Sequence, residues 1–138
     1  MAERKTPQLE ERNIRNFPVA ASTLIEQGKL VALNATGFLI EGAVATTLVA
    51  VGTALETVDN TVGADGDLGC EVSAKASRWA SGTAGDTINR DDIGATVFII
   101  DDETVGLTNG GATRSVAGDV YQVDGNGADG VWVIPPSV

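Results

Sequence analysis

Apolar, β-branched runs alternate with clusters of Gly, Asn and Asp along most of this chain, most regularly over residues 96–134. There Thr96-Val-Phe-Ile-Ile, Thr104-Val-Gly-Leu, residues 114–123 and Val131-Trp-Val-Ile are separated by Asp101-Asp-Glu, Asn109-Gly-Gly and Asp124-Gly-Asn-Gly-Ala-Asp-Gly. The pattern predicts consecutive antiparallel strands joined by tight turns.

The same grammar runs upstream. Residues 17–25 predict a first strand, and Gln27-Gly28 turns it into a second over 29–33. Asn34-Ala-Thr-Gly37 turns the chain into a third over 38–41. Residues 46–58, rich in Val, Thr and Leu, predict one long strand with Gly52 marking a bend or bulge. Over 69–80, Cys70, Val72, Ala74 and Ala76 alternate with Glu71, Ser73, Lys75 and Ser77, the period of a half-buried strand. Residues 59–68 and 81–86 read as loops. Asp86 or Thr87 is placed to cap one helical turn through Asp92, closed by Gly94. The sum is about nine or ten strands, at most one or two short helical turns, and no βαβ alternation. The predicted fold is therefore all-β, a compact antiparallel barrel or sandwich of Greek-key character.

Residues 1–16 stand apart as an N-terminal arm, with 17–138 as the β-domain. Thr6 can cap a short helix with Pro7 at its first position. Leu9 and Ile14 are its main apolar side chains before Phe17. So small an element is marginal alone. It reads as an arm that orders when it lies on a partner; the competing reading is a terminus with no role.

Composition narrows the function. The chain carries −10 overall, but residues 1–17 hold four basic side chains (Arg4, Lys5, Arg12, Arg15) against three acidic ones, so the rest carries −11. An acidic body with dispersed cations does not neutralise a phosphate backbone, and an anionic membrane surface is disfavoured likewise. The 138 residues suit one domain, and the 4% aromatic content leaves the core to Val, Leu, Ile and Ala. A single cysteine, Cys70, rules out an intramolecular disulfide framework and predicts a small buried hydrophobe. No signal peptide or membrane-spanning run is visible, so a soluble chain made in a cytoplasm is expected.

Chemistry is sparse. With no histidine and one cysteine, Ser-His and Cys-His dyads and the usual zinc and iron–sulfur sites are excluded. Gly125-Asn-Gly-Ala-Asp-Gly130 spells a dinucleotide fingerprint, but it leads into a strand rather than a helix and reads as a hairpin loop. Asp101-Asp102-Glu103, and Asp124 with Asn126 and Asp129, offer oxygen ligands for Ca²⁺ without the spacing of a calcium loop; ordinary turn chemistry is the alternative. Trp79 and Trp132 are expected to be buried. Neither an enzyme nor a cofactor is expected.

The order of several short motifs carries a resemblance. Phe17-Pro-Val-Ala-Ala is followed by Gly28-Lys-Leu-Val-Ala-Leu-Asn-Ala-Thr-Gly-Phe and Val51-Gly-Thr-Ala-Leu-Glu-Thr-Val-Asp-Asn. Then come Arg78-Trp-Ala, Asp91-Asp-Ile-Gly, Val97-Phe-Ile-Ile-Asp-Asp-Glu-Thr-Val, Thr113-Arg-Ser-Val-Ala-Gly and Gly130-Val-Trp-Val. Over residues 17–134 the chain resembles the head decoration, or cement, proteins encoded beside the major capsid gene of tailed bacteriophages. The resemblance implies a virion protein on the capsid exterior, made in the host bacterial cytoplasm. It implies a homotrimer at three-fold and quasi-three-fold positions whose partner is the major capsid protein. Nucleic acid and membrane are not expected partners. The arm supplies the expected capsid-binding residues: Arg4, Lys5, Leu9, Arg12, Ile14, Arg15 and Phe17. The alternatives are a structural β-domain of a phage tail or head–tail connector, or a host-surface or carbohydrate-binding module using Trp79 or Trp132.

Overall fold

The computed structural model describes residue 4, residues 13–125 and residues 130–136. The described residues form β1 (Ile14–Pro18), β2 (Thr23–Ile25), β3 (Leu30–Leu33), β4 (Leu39–Glu41), β5 (Val49–Ala54) and β6 (Val58–Asn60). They continue with β7 (Gly69–Ser73), β8 (Ser77–Ser81), β9 (Thr96–Ile99), β10 (Thr104–Gly106), β11 (Val116–Val123) and β12 (Val131–Ile134). Two 3-10 turns, Ala84–Asp86 and Arg90–Asp92, lie between β8 and β9. The fold is all-β, as the alternating pattern predicts.

The strands make three units. A five-stranded antiparallel sheet runs β1-β7-β5-β3-β4, a closed barrel runs β10-β8-β12-β11-β9, and β2 pairs with β6 alone. The five-stranded sheet is the middle layer, and strand alternation makes it so. On β3, Leu30 and Ala32 enter the core shared with the barrel, beside Trp79, Ile88, Val97 and Val131. Val31, between them, enters a second core with Val19, Ile25, Val51, Val58, Cys70 and Val72. Successive side chains point to opposite faces, so a run apolar at every position, Leu30-Val-Ala-Leu, marks a strand covered on both sides.

Three predicted strands are each broken in two. The strand expected over 17–25 ends at Pro18, because Ser22 takes a left-handed conformation (φ 55°) and the Ala21 N–H is captured by Asp65 at 2.7 Å. The strand expected over 46–58 breaks after Ala54, and its second half, β6, leaves the central sheet for β2. The alternation over 69–80 continues across a change of sheet. β7 belongs to the central sheet and β8 to the barrel. The crossing, residues 74–76, is held by two local hydrogen bonds: the Lys75 N–H donates to the Ser73 hydroxyl, and the Ser77 hydroxyl donates to the Lys75 carbonyl. Gly52 does mark a bulge: Val31 pairs with Gly52 and Ala32 with Ala50, leaving Val51 extra. Gly52 has φ 138°, and a Cβ there would overlap the Ser73 carbonyl. Gly118 repeats this device in the barrel, at φ 146° against the Ile134 carbonyl.

The terminal stretch departs from a simple meander. β9–β10 and β11–β12 are antiparallel hairpins, but β10 does not pair with β11. β10 instead closes the barrel against β8 in parallel, through Thr104 with Ala80 and Val105 with Ser81. The segment after β10 crosses over rather than turning back, because Asn109 gathers it through the N–H groups of Ala112, Thr113 and Arg114.

The arm boundary also moves. Ile14, Arg15 and Asn16, assigned to the arm from sequence, pair with Ser73, Val72 and Glu71 as part of β1. Phe17 packs on the second core, so the sheet begins three residues before the expected boundary. The short helix expected from Thr6 lies outside the described residues.

Candidate functional site

Of the seven residues expected to contact a capsid, the structure brings together Ile14, Arg15 and Phe17 on β1. Among the described residues this is an edge strand, paired with β7. Ile14, Asn16 and Pro18 are exposed, and Arg15 and Phe17 half-buried. The Arg15 guanidinium stands 5.0 Å from the Phe17 ring centroid, a cation–π distance that fixes both side chains along the edge. Arg4 is exposed. Lys5, Leu9 and Arg12 lie outside the described residues.

The acidic clusters hold the fold together. In the β9–β10 turn, the Asp101 carboxylate accepts the Glu103 N–H at 2.8 Å, an ordinary Asx turn. The same turn bridges the central sheet and the barrel: Leu30 N–H donates to the Asp102 carbonyl (2.8 Å) and Ala80 N–H to the Glu103 carbonyl (3.0 Å). Lys29 closes it with its ammonium 2.6 Å from Glu103 and 3.6 Å from Asp102. The hydrogen bond to Glu103 and the surrounding carboxylates raise the Lys29 pKa. Glu41 accepts the Glu26 N–H, and partial burial pushes its carboxyl pKa up.

Asp124 closes the β11–β12 hairpin. It accepts the Trp132 indole N–H at 2.8 Å and the Gln122 amide at 3.1 Å, with Arg78 at 3.9 Å. These partners, the indole first, hold its carboxyl below the usual range. The companion residues Asn126 and Asp129 lie outside the described residues. Asp86 is likewise occupied: it accepts the Thr108 N–H and hydroxyl and the Arg114 guanidinium, which lower its pKa, the Thr108 hydroxyl foremost. Among the described residues, no group of three or more His, Cys, Asp or Glu is placed to hold a metal ion. Nor is any helix among them long and apolar enough to cross a membrane.

Cys70 is fully buried, as its alternation predicts. Burial, with the Glu56 charge nearby, pushes its thiol up to about 11, so it stays protonated at neutral pH and is a poor nucleophile. Trp79 is buried in the barrel core, whereas Trp132 is half-buried with its N–H on Asp124.

Two features escape sequence reasoning. One is an open groove of about 350 Å³ between the starts of β5 and β11, lined by Leu48, Val49, Val116 and Pro136 together with Thr46, Arg114 and Ser115. The other is Val62, fully exposed at the tip of the β6–β7 loop. The groove joins positions far apart in sequence and leaves no local signature. Val62 did leave one: the single large apolar side chain inside Asp59-Asn-Thr-Val-Gly-Ala-Asp-Gly-Asp. Comparison of the chain with protein-family models, curated proteins and solved structures finds no match.

Proposed function

We propose that this chain is a structural virion protein that binds the outer surface of a bacteriophage capsid and stabilises contacts between neighbouring capsomers. The observation that carries the reading is the employment of its polar side chains. Asp86, Asp101 and Asp124 accept hydrogen bonds that hold turns and hairpins, and Lys29 and Ser115 join the sheet to the barrel. Such a body presents shape and a strand edge to a partner. The motif order over residues 17–134 supports the same reading, with the major capsid protein as partner and a homotrimer as the docking unit. Symmetric trimers on a lattice gain avidity from simultaneous contacts.

The arm acts with β1 in this proposal. Ile14, Arg15 and Phe17 sit on a strand registered against β7, so they form a fixed base from which residues 1–12 reach a capsid subunit. A segment that orders on docking adds contact area at the expense of its ordering entropy. The test is co-sedimentation with expanded and unexpanded capsids of the encoding phage, with copies per particle measured. Hundreds of copies per expanded particle are expected; about a dozen, at a single vertex, points to a connector, and binding to neither form overturns the reading. Deleting residues 1–12 spares β1 and should weaken binding while leaving the β-sheet circular dichroism intact. Undiminished binding removes the arm from the contact.

A further inference from the structure

The main chain of β1 divides its hydrogen-bonding groups between two sides. Ala74 N–H donates to the Asn13 carbonyl at 2.6 Å, and Val19 N–H to the Leu68 carbonyl at 2.9 Å. Both pairs continue the register that sets Ile14 opposite Ser73 and Pro18 opposite Gly69. In an antiparallel ladder such hydrogen-bonded pairs alternate with non-bonded ones. Asn13, Arg15, Phe17 and Val19 therefore turn their main-chain groups toward β7, and Ile14, Asn16 and Pro18 turn theirs away. Among the described residues no strand meets that outer side. The opposite edge of the sheet, β4, is closed: the Leu39 carbonyl accepts the Ala20 N–H at 3.0 Å, and the Glu41 carboxylate holds the Glu26 N–H. Pro18 brings no donor to the outer side, so the open edge offers the N–H groups of Ile14 and Asn16 and the carbonyls of all three residues.

This edge complements itself. Set antiparallel with Asn16 opposite the partner's Asn16, Ile14 falls opposite the partner's Pro18 and Arg15 opposite the partner's Phe17. Each Asn16 N–H then meets the other copy's Asn16 carbonyl, and each Ile14 N–H meets a Pro18 carbonyl. Every outward N–H of both strands is used, and the proline stands where no donor is needed. Neighbouring registers fail for separate reasons. One step toward the N-terminus sets Arg15 against the partner's Arg15, a like-charge pair at the close spacing of about 4.5 Å. One step the other way sets the Ile14 N–H against the partner's Ala20, a carbonyl position already held in this chain by the Asn60 amide at 2.9 Å. In the favoured register Arg15, 5.0 Å from its own Phe17 ring, gains a second ring across the strands. Charge permits the approach. Two copies of a chain of net charge −10 repel in most orientations, but residues 13–18 contain no carboxylate and one cation. Glu71, in register with Asn16 on β7, would stand three strand spacings from its copy, about 14 Å, beyond the screening length of about 10 Å in 0.1 M salt. We propose that two copies of the chain pair edge to edge through β1, antiparallel about Asn16, joining their central sheets into one. The contact is isologous and two-fold, separate from the three-fold contact of the proposed trimer. It is tested without capsids, so its failure and that of the capsid reading are distinguishable.

Sedimentation velocity on the full chain, over a series of concentrations, reads the contact. The wild type should sediment as an oligomer that Asn16→Pro reduces to fewer chains with unchanged circular dichroism. That substitution removes the central outward donor and no bond to β7, as Pro18 already does two residues on. A wild type that stays monomeric, or an oligomer that Asn16→Pro leaves intact, overturns the inference. Amide hydrogen exchange tests the same contact with no substitution. Protection of the Ile14 and Asn16 N–H groups should rise with protein concentration, while that of Arg15 and Phe17, which face β7, stays constant. Protection at Ile14 and Asn16 that does not follow concentration also overturns it. Under oxidation, Asn16→Cys should cross-link to its own copy faster than Val62→Cys at the fully exposed loop tip, Cys70 being buried in both. Equal rates count against the contact. Oligomers of this kind that bind no capsid overturn the capsid reading and leave this one standing.

Discussion

The hydroxyl of Ser115, buried at the entrance to β11, donates to the Ala45 carbonyl at 2.6 Å. The same oxygen accepts the Leu48 N–H at 3.0 Å. One side chain thus satisfies a donor and an acceptor on the segment that leads into β5, and it holds the central sheet to the barrel.

Ser115→Ala removes that partner and strands the buried Leu48 N–H. An unsatisfied buried donor costs roughly 1–3 kcal/mol. The expected outcome is an unfolding free energy lowered by that amount, read as a lower urea midpoint with an unchanged slope, since the surface exposed on unfolding stays the same. A change below a few tenths of a kcal/mol would mean that water replaces the hydroxyl.

Gly52 and Gly118 should each resist substitution. Both hold positive φ, and a Cβ at either would overlap a carbonyl of the neighbouring strand. Gly52→Ala and Gly118→Ala are expected to destabilise by about 3 kcal/mol or more, combining backbone strain with a steric shift. Gly85→Ala is the control, because nothing lies within 4 Å of a Cβ there and its φ is not positive. It should leave stability unchanged or raise it by about 0.5 kcal/mol. Thermal melts of the three variants would decide between bulge geometry and a general intolerance of alanine.

Glu41 gives a pH dependence of defined sign. Its folded-state pKa is raised, by burial first and by Asp102 besides. Its protonated form is therefore the one the fold favours. The stabilisation it offers is fully present below the unfolded value, about 4.3, and is lost as pH rises through the higher folded value. Glu41→Gln keeps an oxygen for the Glu26 N–H and removes the charge. It should raise the urea midpoint at pH 7, with the gain disappearing near pH 4. A midpoint lowered at pH 7 would show that the carboxylate is stabilising.

Asp124 runs the opposite way. Its pKa is lowered by the Trp132 indole and the Gln122 amide, so its stabilisation is present above the unfolded value, about 3.9, and is lost as pH falls through the lower folded value. Asp124→Ala should shift tryptophan emission to the red, since the Trp132 end of β12 opens while Trp79 stays buried. In the wild type the same shift should appear on acidification only below the usual aspartate range. Emission unaffected by the substitution would mean that the hairpin holds without its carboxylate.

Much of the fold was legible in the chain. Period-two alternation, β-branching and Gly–Asp clusters located the apolar strands and the loops after Glu26, Leu33, Ile99 and Val123. The double-sided run Leu30-Val-Ala-Leu carried the sign of a middle layer. Alternation also placed Cys70 inside. The candidate site was less legible: Ile14 and Arg15 were picked out for charge and apolarity, without their place on a sheet edge.

The sequence by itself determined the all-β class, the burial of Cys70, Val72 and Ala74, the Gly52 bulge and the poverty of catalytic side chains, because each follows from local periodicity or from residue type. Only the tertiary structure decided where predicted strands break, which sheet each half joins, and that β8 and β10 close the barrel in parallel. Those outcomes hang on contacts between distant positions, such as Asp65 with Ala21 and Asp102 with Leu30, which no window of sequence contains. The acidic clusters at 101–103 and at Asp124 show the same division. Their letters offer oxygen ligands but lack the spacing of a calcium loop and favour a turn, and it was the fold that brought in the partners those turns hold, the Leu30 N–H, the Lys29 ammonium and the Trp132 indole.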